Sequence, residues 1–156
     1  MKRNLRFVLL SGVVLLAFSI ILVSCKKDEE DKNTIIKGTA YFPAGTSGDL
    51  SNAKVSIYTS YDNWVFNQPI KFTSVAGGGA SVEFEMKDVL PGNYYLDVWK
   101  DIDNSATWTV SDFVGWYGSG GLGSPDLTEF QITDGQTLDF DIPMYILVKK
   151  GPGFPK

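Results

Sequence analysis

The sequence predicts an all-β protein: a single seven-stranded antiparallel β-sandwich that follows a short N-terminal leader. Short segments of strand-forming residues alternate apolar and polar side chains, which is the pattern of half-buried strands. Clusters of Gly, Pro, Asn and Asp separate these segments at spacings of about ten to fifteen residues, as in sandwiches and barrels. Beyond the leader, no long stretch shows the 3.6-residue apolar period of an amphipathic helix.

The predicted strands occupy residues 36–42, 53–59, 70–75, 81–86, 94–99, 127–132 and 137–142. Residues 60–69, between the second and third strands, are predicted to form a loop or bulge rich in aromatic side chains. Residues 101–125 are predicted to be the longest segment without a strand. Pro143 directly follows the last strand and cannot donate a ladder hydrogen bond, so an edge position or a bulge is expected there.

The fourth and fifth strands have the clearest alternation and are predicted to pair as a hairpin through the Pro91-Gly92 turn. On the fifth strand, the residues of the core face are Tyr94, Leu96 and Val98. The residues of the opposite face are Tyr95, Asp97 and Trp99. In such a hairpin Glu83 and Asp97 would lie opposite or diagonal to each other, and like charges there repel unless something neutralises them.

Several short motifs resemble those of prealbumin-like β-sandwich domains, also called transthyretin-like or carboxypeptidase-regulatory-like. They are P-G-x-Y-x-L-x-V at residues 91–98 with Lys-Asp following at 100–101, G-T-A-Y-F at 38–42, N-A-K-V-S-I at 52–57 and D-F-V-G-W-Y at 112–117. Together they extend over residues 34–146. The resemblance implies the fold, and it leaves function open because one fold hosts many functions.

The first 24 residues read as a lipoprotein signal peptide. Three basic residues precede an unbroken apolar and small-residue run at 7–23, and Leu22-Val23-Ser24-Cys25 matches the bacterial lipobox. Cys25 is the only cysteine and is therefore predicted to be the lipidated residue. The alternative is a transmembrane anchor, but the run is shorter than the ~20 residues that span a bilayer.

Residues 25–33 are predicted to be the lipidated cysteine and a charged tether, residues 34–148 the sandwich, and residues 149–156 a disordered tail. The tether sequence K-K-D-E-E-D-K at 26–32 resembles the acidic export signal of Bacteroidetes-type surface lipoproteins. The expected location is the outer membrane, lipid-anchored and facing the cell surface. A periplasm-facing anchor is the open alternative.

Charge excludes one class of partner. Residues 34–148 contain five lysines, no arginine and fourteen acidic residues, so their net charge is −9. A domain this acidic has no electrostatic footprint for nucleic acid. The expected partners are the membrane, through the lipid anchor, and a glycan or another envelope protein.

The absence of histidine argues against catalysis. Without His there is no Ser-His or Cys-His pair, no imidazole base near neutral pH and no His-ligated metal. The expected function is a non-catalytic cell-envelope lipoprotein that presents a binding or structural module. A carboxylate-based hydrolase is the remote alternative, because a glycosidase needs only two carboxyl groups.

Two groups of residues are candidate sites. Oxygen ligands for a structural Ca²⁺ could come from Asp101, Asp103, Asn104 and Asp112, although the favoured alternative is an acidic turn that caps the fifth strand. An aromatic face for glycan binding could come from Tyr95, Trp99, Trp116 and Tyr117. The favoured alternative is that residues 101–125 fold back over the fifth strand and bury these rings as a satellite cluster.

Overall fold

The computed structural model describes residues 33–148. The leader, Cys25, almost all of the tether and the 149–156 tail lie outside the described residues. The described part is predominantly β, which confirms the all-β prediction. Its strands are β1 (Ile35–Tyr41), β2 (Lys54–Tyr58), β3 (Lys71–Ser74), β4 (Ser81–Met86), β5 (Gly92–Lys100), β6 (Phe113–Trp116), β7 (Gly118–Gly121), β8 (Ser124–Leu127), β9 (Phe130–Ile132), β10 (Thr137–Pro143) and β11 (Tyr145–Ile146).

Two sheets enclose the main hydrophobic core. The small sheet has the order β10-β1-β4, and the large sheet has the order β11-β6-β5-β2-β3, with β9 also paired to β5. Strands β7 and β8 form a separate two-stranded ribbon. Both sheets contribute to one cluster of buried residues: Ile36, Val82 and Phe84 come from the small sheet, and Ile57 and Leu96 come from the large one.

The prediction of seven strands, all antiparallel, was wrong in both respects for the described residues. Eleven strands are present there, and β1 pairs with β10 in parallel from Ile35↔Thr137 to Tyr41↔Pro143. The pairing depends on Gly38, since a Cβ atom at this position would collide with the carbonyl oxygen of Phe140. Pro143 ends the edge strand of the small sheet, as its missing N–H predicts.

The predicted hairpin of the fourth and fifth strands does not form. β4 pairs with β1 in the small sheet, whereas β5 pairs with β2, β6 and β9. The 87–91 connection therefore crosses from one sheet to the other, and the two apolar faces meet across the core instead of side by side. Glu83 is exposed and Asp97 is buried in the other sheet, so the expected repulsion between them is also wrong.

Two segments predicted as loops contain regular structure. Residues 60–69 include a short helix α1 (Tyr61–Val65), whose N-cap Ser60 accepts a hydrogen bond from the Asn63 N–H at 3.1 Å. Residues 101–125 include β6, β7 and the start of β8. Gly115 interrupts the apolar pattern of β6 because the Pro143 carbonyl and the Met144 side chain lie where its Cβ would be.

Within residues 33–148, no helix has the length and apolar character needed to cross a bilayer.

Candidate functional site

The outer face of the large sheet carries a second hydrophobic cluster, here called the outer cluster. Its buried members are Tyr58, Trp64, Val114, Trp116, Leu127 and Leu147, and its partly buried members are Val65, Tyr95, Trp99, Trp108, Leu122 and Tyr145. Helix α1 and the segment after β5 supply Trp64 and Trp108, whose rings pack edge to face with centroids 5.5 Å apart. These two elements therefore cover part of the face on which Tyr95 and Trp99 lie.

The four aromatic residues singled out in the sequence do not share one surface. Tyr95, Trp99 and Trp116 belong to the outer cluster, and Trp116 is buried, with its indole N–H donating to the Ser119 carbonyl at 2.8 Å. Tyr117 follows Trp116 and so points to the opposite face, where its ring packs against Phe140 in the main core at 4.7 Å. Tyr95 and Trp99 are both partly buried.

A buried carboxylate lies beneath the outer cluster. Asp97 is only 2% exposed, yet it sits on the outer face of β5 between Ser56 of β2 and Trp116 of β6. Its oxygens accept hydrogen bonds from the Tyr58 hydroxyl, at 3.2 Å to each oxygen, and from the Trp64 indole N–H at 3.0 Å. Asp97 thus attaches helix α1 to the sheet.

Burial raises the pKa of Asp97 to about 7, because the loss of water penalises its charged form more than the bonds from Trp64 and Tyr58 stabilise it. The same burial, together with the neighbouring carboxylate, raises the pKa of the Tyr58 hydroxyl. Sequence reasoning did not select Asp97 as a site residue. The available signal was an acidic residue between two aromatic residues, Tyr95 and Trp99, on one strand face.

Trp99 lines two cavities. The smaller, of about 130 Å³, lies towards helix α1 and is bounded by Trp64, Phe66 and Trp108. The larger, of about 410 Å³, is here called the Trp99 groove. Its lining includes Asn52, Lys54, Asn67, Trp99, Lys100 and Asn104. Its volume falls within the roughly 300–1,000 Å³ of typical small-molecule sites.

Unusual backbone conformations are concentrated at the Trp99 groove. Among the described residues, six that are not glycine have positive φ, and four of them line the groove. These four are Asn52, Asn67, Asn104 and Ala106, with φ between 50° and 63°. Asparagine tolerates this region, but alanine rarely adopts it, and such residues often lie at binding sites.

The acidic residues proposed as Ca²⁺ ligands come together in part. One carboxylate oxygen from each of Asp101, Asp103 and Asp112 lies within 4.8 Å of the others. Asn104, the fourth residue proposed as a ligand, lines the Trp99 groove. Asp112 is fully buried and lies eleven residues after Asp101. The fold of the segment between them therefore brings the two carboxylates together.

All three carboxylates already accept hydrogen bonds. Asp101 accepts from the N–H groups of Ser105 and Ala106. Asp112 accepts from the backbone N–H groups of Ile102 and Thr109, at 2.9 Å each, and from the indole of Trp99 at 3.2 Å. Bonds from Ser105 and Thr109 lower the pKa of Asp103. The segment therefore closes on itself as an acidic turn and holds Trp99 in position.

Comparison of the chain with protein-family models, with curated proteins and with solved structures found no match. The site is therefore interpreted from its own geometry.

Proposed function

We propose that this chain is a non-catalytic outer-membrane lipoprotein, anchored through Cys25 and facing the cell surface, whose folded part binds a glycan. The folded part is proposed to be a prealbumin-like β-sandwich, because the two sheets contribute their facing side chains to one core. The Trp99 groove is the observation that carries the glycan-binding proposal. An aromatic side chain beside several amides is a combination suited to a ring with an apolar face and hydroxyls at its edge.

The lining of the groove supports binding without catalysis. Hydrolysis of a glycosidic bond by carboxyl groups needs two of them, about 5–9.5 Å apart on either side of the bond. Asp101 supplies the one carboxylate in the lining of the groove, and both its oxygens accept backbone hydrogen bonds. A groove with one such occupied carboxylate is poorly equipped for acid–base catalysis.

A glycan array probed with the mature lipoprotein in detergent micelles tests the binding proposal. We expect retention on a restricted set of saccharides, and the bound protein should be displaced by the same saccharide in solution. Failure to bind any saccharide on a broad array would contradict glycan binding.

A protein-binding role is the second candidate. It is supported by exposed apolar side chains on or directly before β3, the edge strand of the large sheet: Ile70 is 52% exposed and Phe72 58%. Exposed apolar groups at an unpaired strand edge are typical of surfaces that add a partner strand.

The anchor is tested by Cys25→Ser. Without the thiol no lipid can be attached, so we expect the protein in the soluble fraction or as an unprocessed precursor. Fractionation and the mass of the mature chain measure the outcome, with Ser24→Ala as a control that keeps a small residue before the cysteine. Membrane retention of a normally processed Cys25→Ser protein would contradict lipid anchoring.

No ion is proposed for the acidic turn, because N–H and hydroxyl groups already donate hydrogen bonds to each of its carboxylates. We therefore expect the same melting temperature with excess Ca²⁺ and with a chelator. A bound ion would behave differently, since a ligand at a hundredfold excess over its Kd stabilises a fold by about 2.7 kcal/mol. A fall of several degrees on chelation that is absent in Asp103→Ala would establish a Ca²⁺ site.

A further inference from the structure

The positive charges of the described residues are few, and two of them line the Trp99 groove. Residues 34–148 contain five lysines against fourteen acidic residues, and Lys54 and Lys100 both line this one cavity. The domain as a whole is strongly acidic, so a cavity lined by two lysines differs in local charge from the rest of its surface.

Lys54 differs from the other lysines in having no polar partner within residues 33–148. Three lysines lie within 4 Å of a carboxylate: Lys37 with Asp139, Lys87 with Glu85, and Lys100 with Asp49. Lys71 donates to the carbonyl of Asp88 at 2.9 Å. The ammonium of Lys54 only approaches the Phe72 ring, at 5.4 Å from its centroid, and its three donors remain available.

The amides of the groove are available in the same way. Among the described residues, the side chains of Asn52 and Asn104 form no hydrogen bond, and Asn67 accepts one long bond of 3.4 Å from Tyr58. Each amide carries two hydrogen-bond donors and an acceptor oxygen, and can therefore both donate to and accept from sugar hydroxyl groups. The carboxylate of Asp101 repels a bound anion less than a carboxylate without hydrogen bonds would, because the N–H groups of Ser105 and Ala106 donate to it.

Resting on the proposed glycan-binding function, we propose that the Trp99 groove selects a saccharide bearing a carboxylate, such as a hexuronic acid. Lys54 binds the carboxylate, the asparagine amides bind ring hydroxyls, and Trp99 contacts the apolar face of the sugar. Lys54 lies directly opposite Trp99 in the pairing of β2 with β5, so the two side chains leave the same face of the sheet from neighbouring positions. A charge-assisted hydrogen bond of this kind is stronger than a neutral one and would set the preference for the acidic sugar.

The test compares two oligosaccharides that differ only in carrying glucuronic acid or glucose at one position. Binding to the mature lipoprotein in micelles is measured by titration. The wild type should bind the acidic form about tenfold more tightly, as expected for one hydrogen bond to a charged group. Lys54→Gln should abolish this preference, whereas Lys87→Gln, which removes the same charge from an exposed lysine elsewhere, should keep it.

Each outcome separates the inference from the function on which it rests. Equal affinity of the wild type for both sugars would overturn the acidic preference while leaving glycan binding in place. An undiminished preference in Lys54→Gln would overturn the role of Lys54. No binding of either sugar, or of any other saccharide, would overturn glycan binding and the inference with it. Lys54 is exposed, so its replacement should leave the melting temperature unchanged, and this is the control for folding.

Discussion

Asp97→Asn should stabilise the protein most at pH 8, and the gain should be about a third as large at pH 5. Burial raises the pKa of Asp97 to about 7 in the folded protein, whereas an aspartate in an unfolded chain titrates near 3.9. Between about pH 4 and pH 7 the unfolded chain releases this proton and the folded protein keeps it. The contribution of Asp97 to folding therefore becomes less favourable as the pH rises through this window, and levels off above it.

Asparagine has no proton to lose, so the advantage of the variant should grow over the same window. Three units of pKa correspond to on the order of 4 kcal/mol at pH 8. An amide oxygen in the place of Oδ2 still accepts from both Trp64 and Tyr58, which keeps helix α1 attached to the sheet. Denaturant unfolding of both proteins at pH 5, 6.5 and 8 measures the effect.

The matched control is Asp141→Asn, which makes the same change at an exposed position on β10. Its effect on the free energy of unfolding should stay within about 0.5 kcal/mol at every pH, as for most surface substitutions. A stability difference between Asp97→Asn and wild type that does not vary with pH would contradict a buried, titrating Asp97.

Trp99→Ala should lower the free energy of unfolding by about 3 kcal/mol, in the range for truncation of large packed aromatic residues. Trp99 packs in the outer cluster with Trp108, and its indole N–H donates to the buried Asp112 at 3.2 Å. Its removal leaves a cavity between the sheet and the segment that follows β5. Thermal and denaturant unfolding of the full mature protein measure the loss.

Phe72→Ala is the control for Trp99→Ala. Phe72 lies on β3 of the same large sheet, but its side chain is 58% exposed, so its truncation should cost less than about 1 kcal/mol. Equal, small losses in the two variants would show that Trp99 is not packed against the covering segments. In that case the role of Trp99 would be ligand binding and not stabilisation of the fold.

The sequence was sufficient to predict the class of the fold and most strands of the two sheets. Alternation of side chains is a local property, so β4, β5 and β10 were recognised within one or two residues of their observed bounds. The orientation of β5 also followed, because alternation places Asp97 and Trp99 opposite Leu96 and Val98. Composition alone gave the net charge of the domain and showed that no histidine is available as a base or a metal ligand. These conclusions need no knowledge of which strands are neighbours.

The tertiary structure alone decided strand pairing and the site. Two strands adjacent in sequence, β4 and β5, lie in different sheets, because both must turn an apolar face towards the same core. The burial of Asp97 depends on Trp64, which lies 33 residues earlier, and on Tyr58, 39 residues earlier. The Trp99 groove likewise combines residues from three separate parts of the chain. Long-range packing, which determines burial, pKa and cavity shape, leaves no signature in the local pattern of residues.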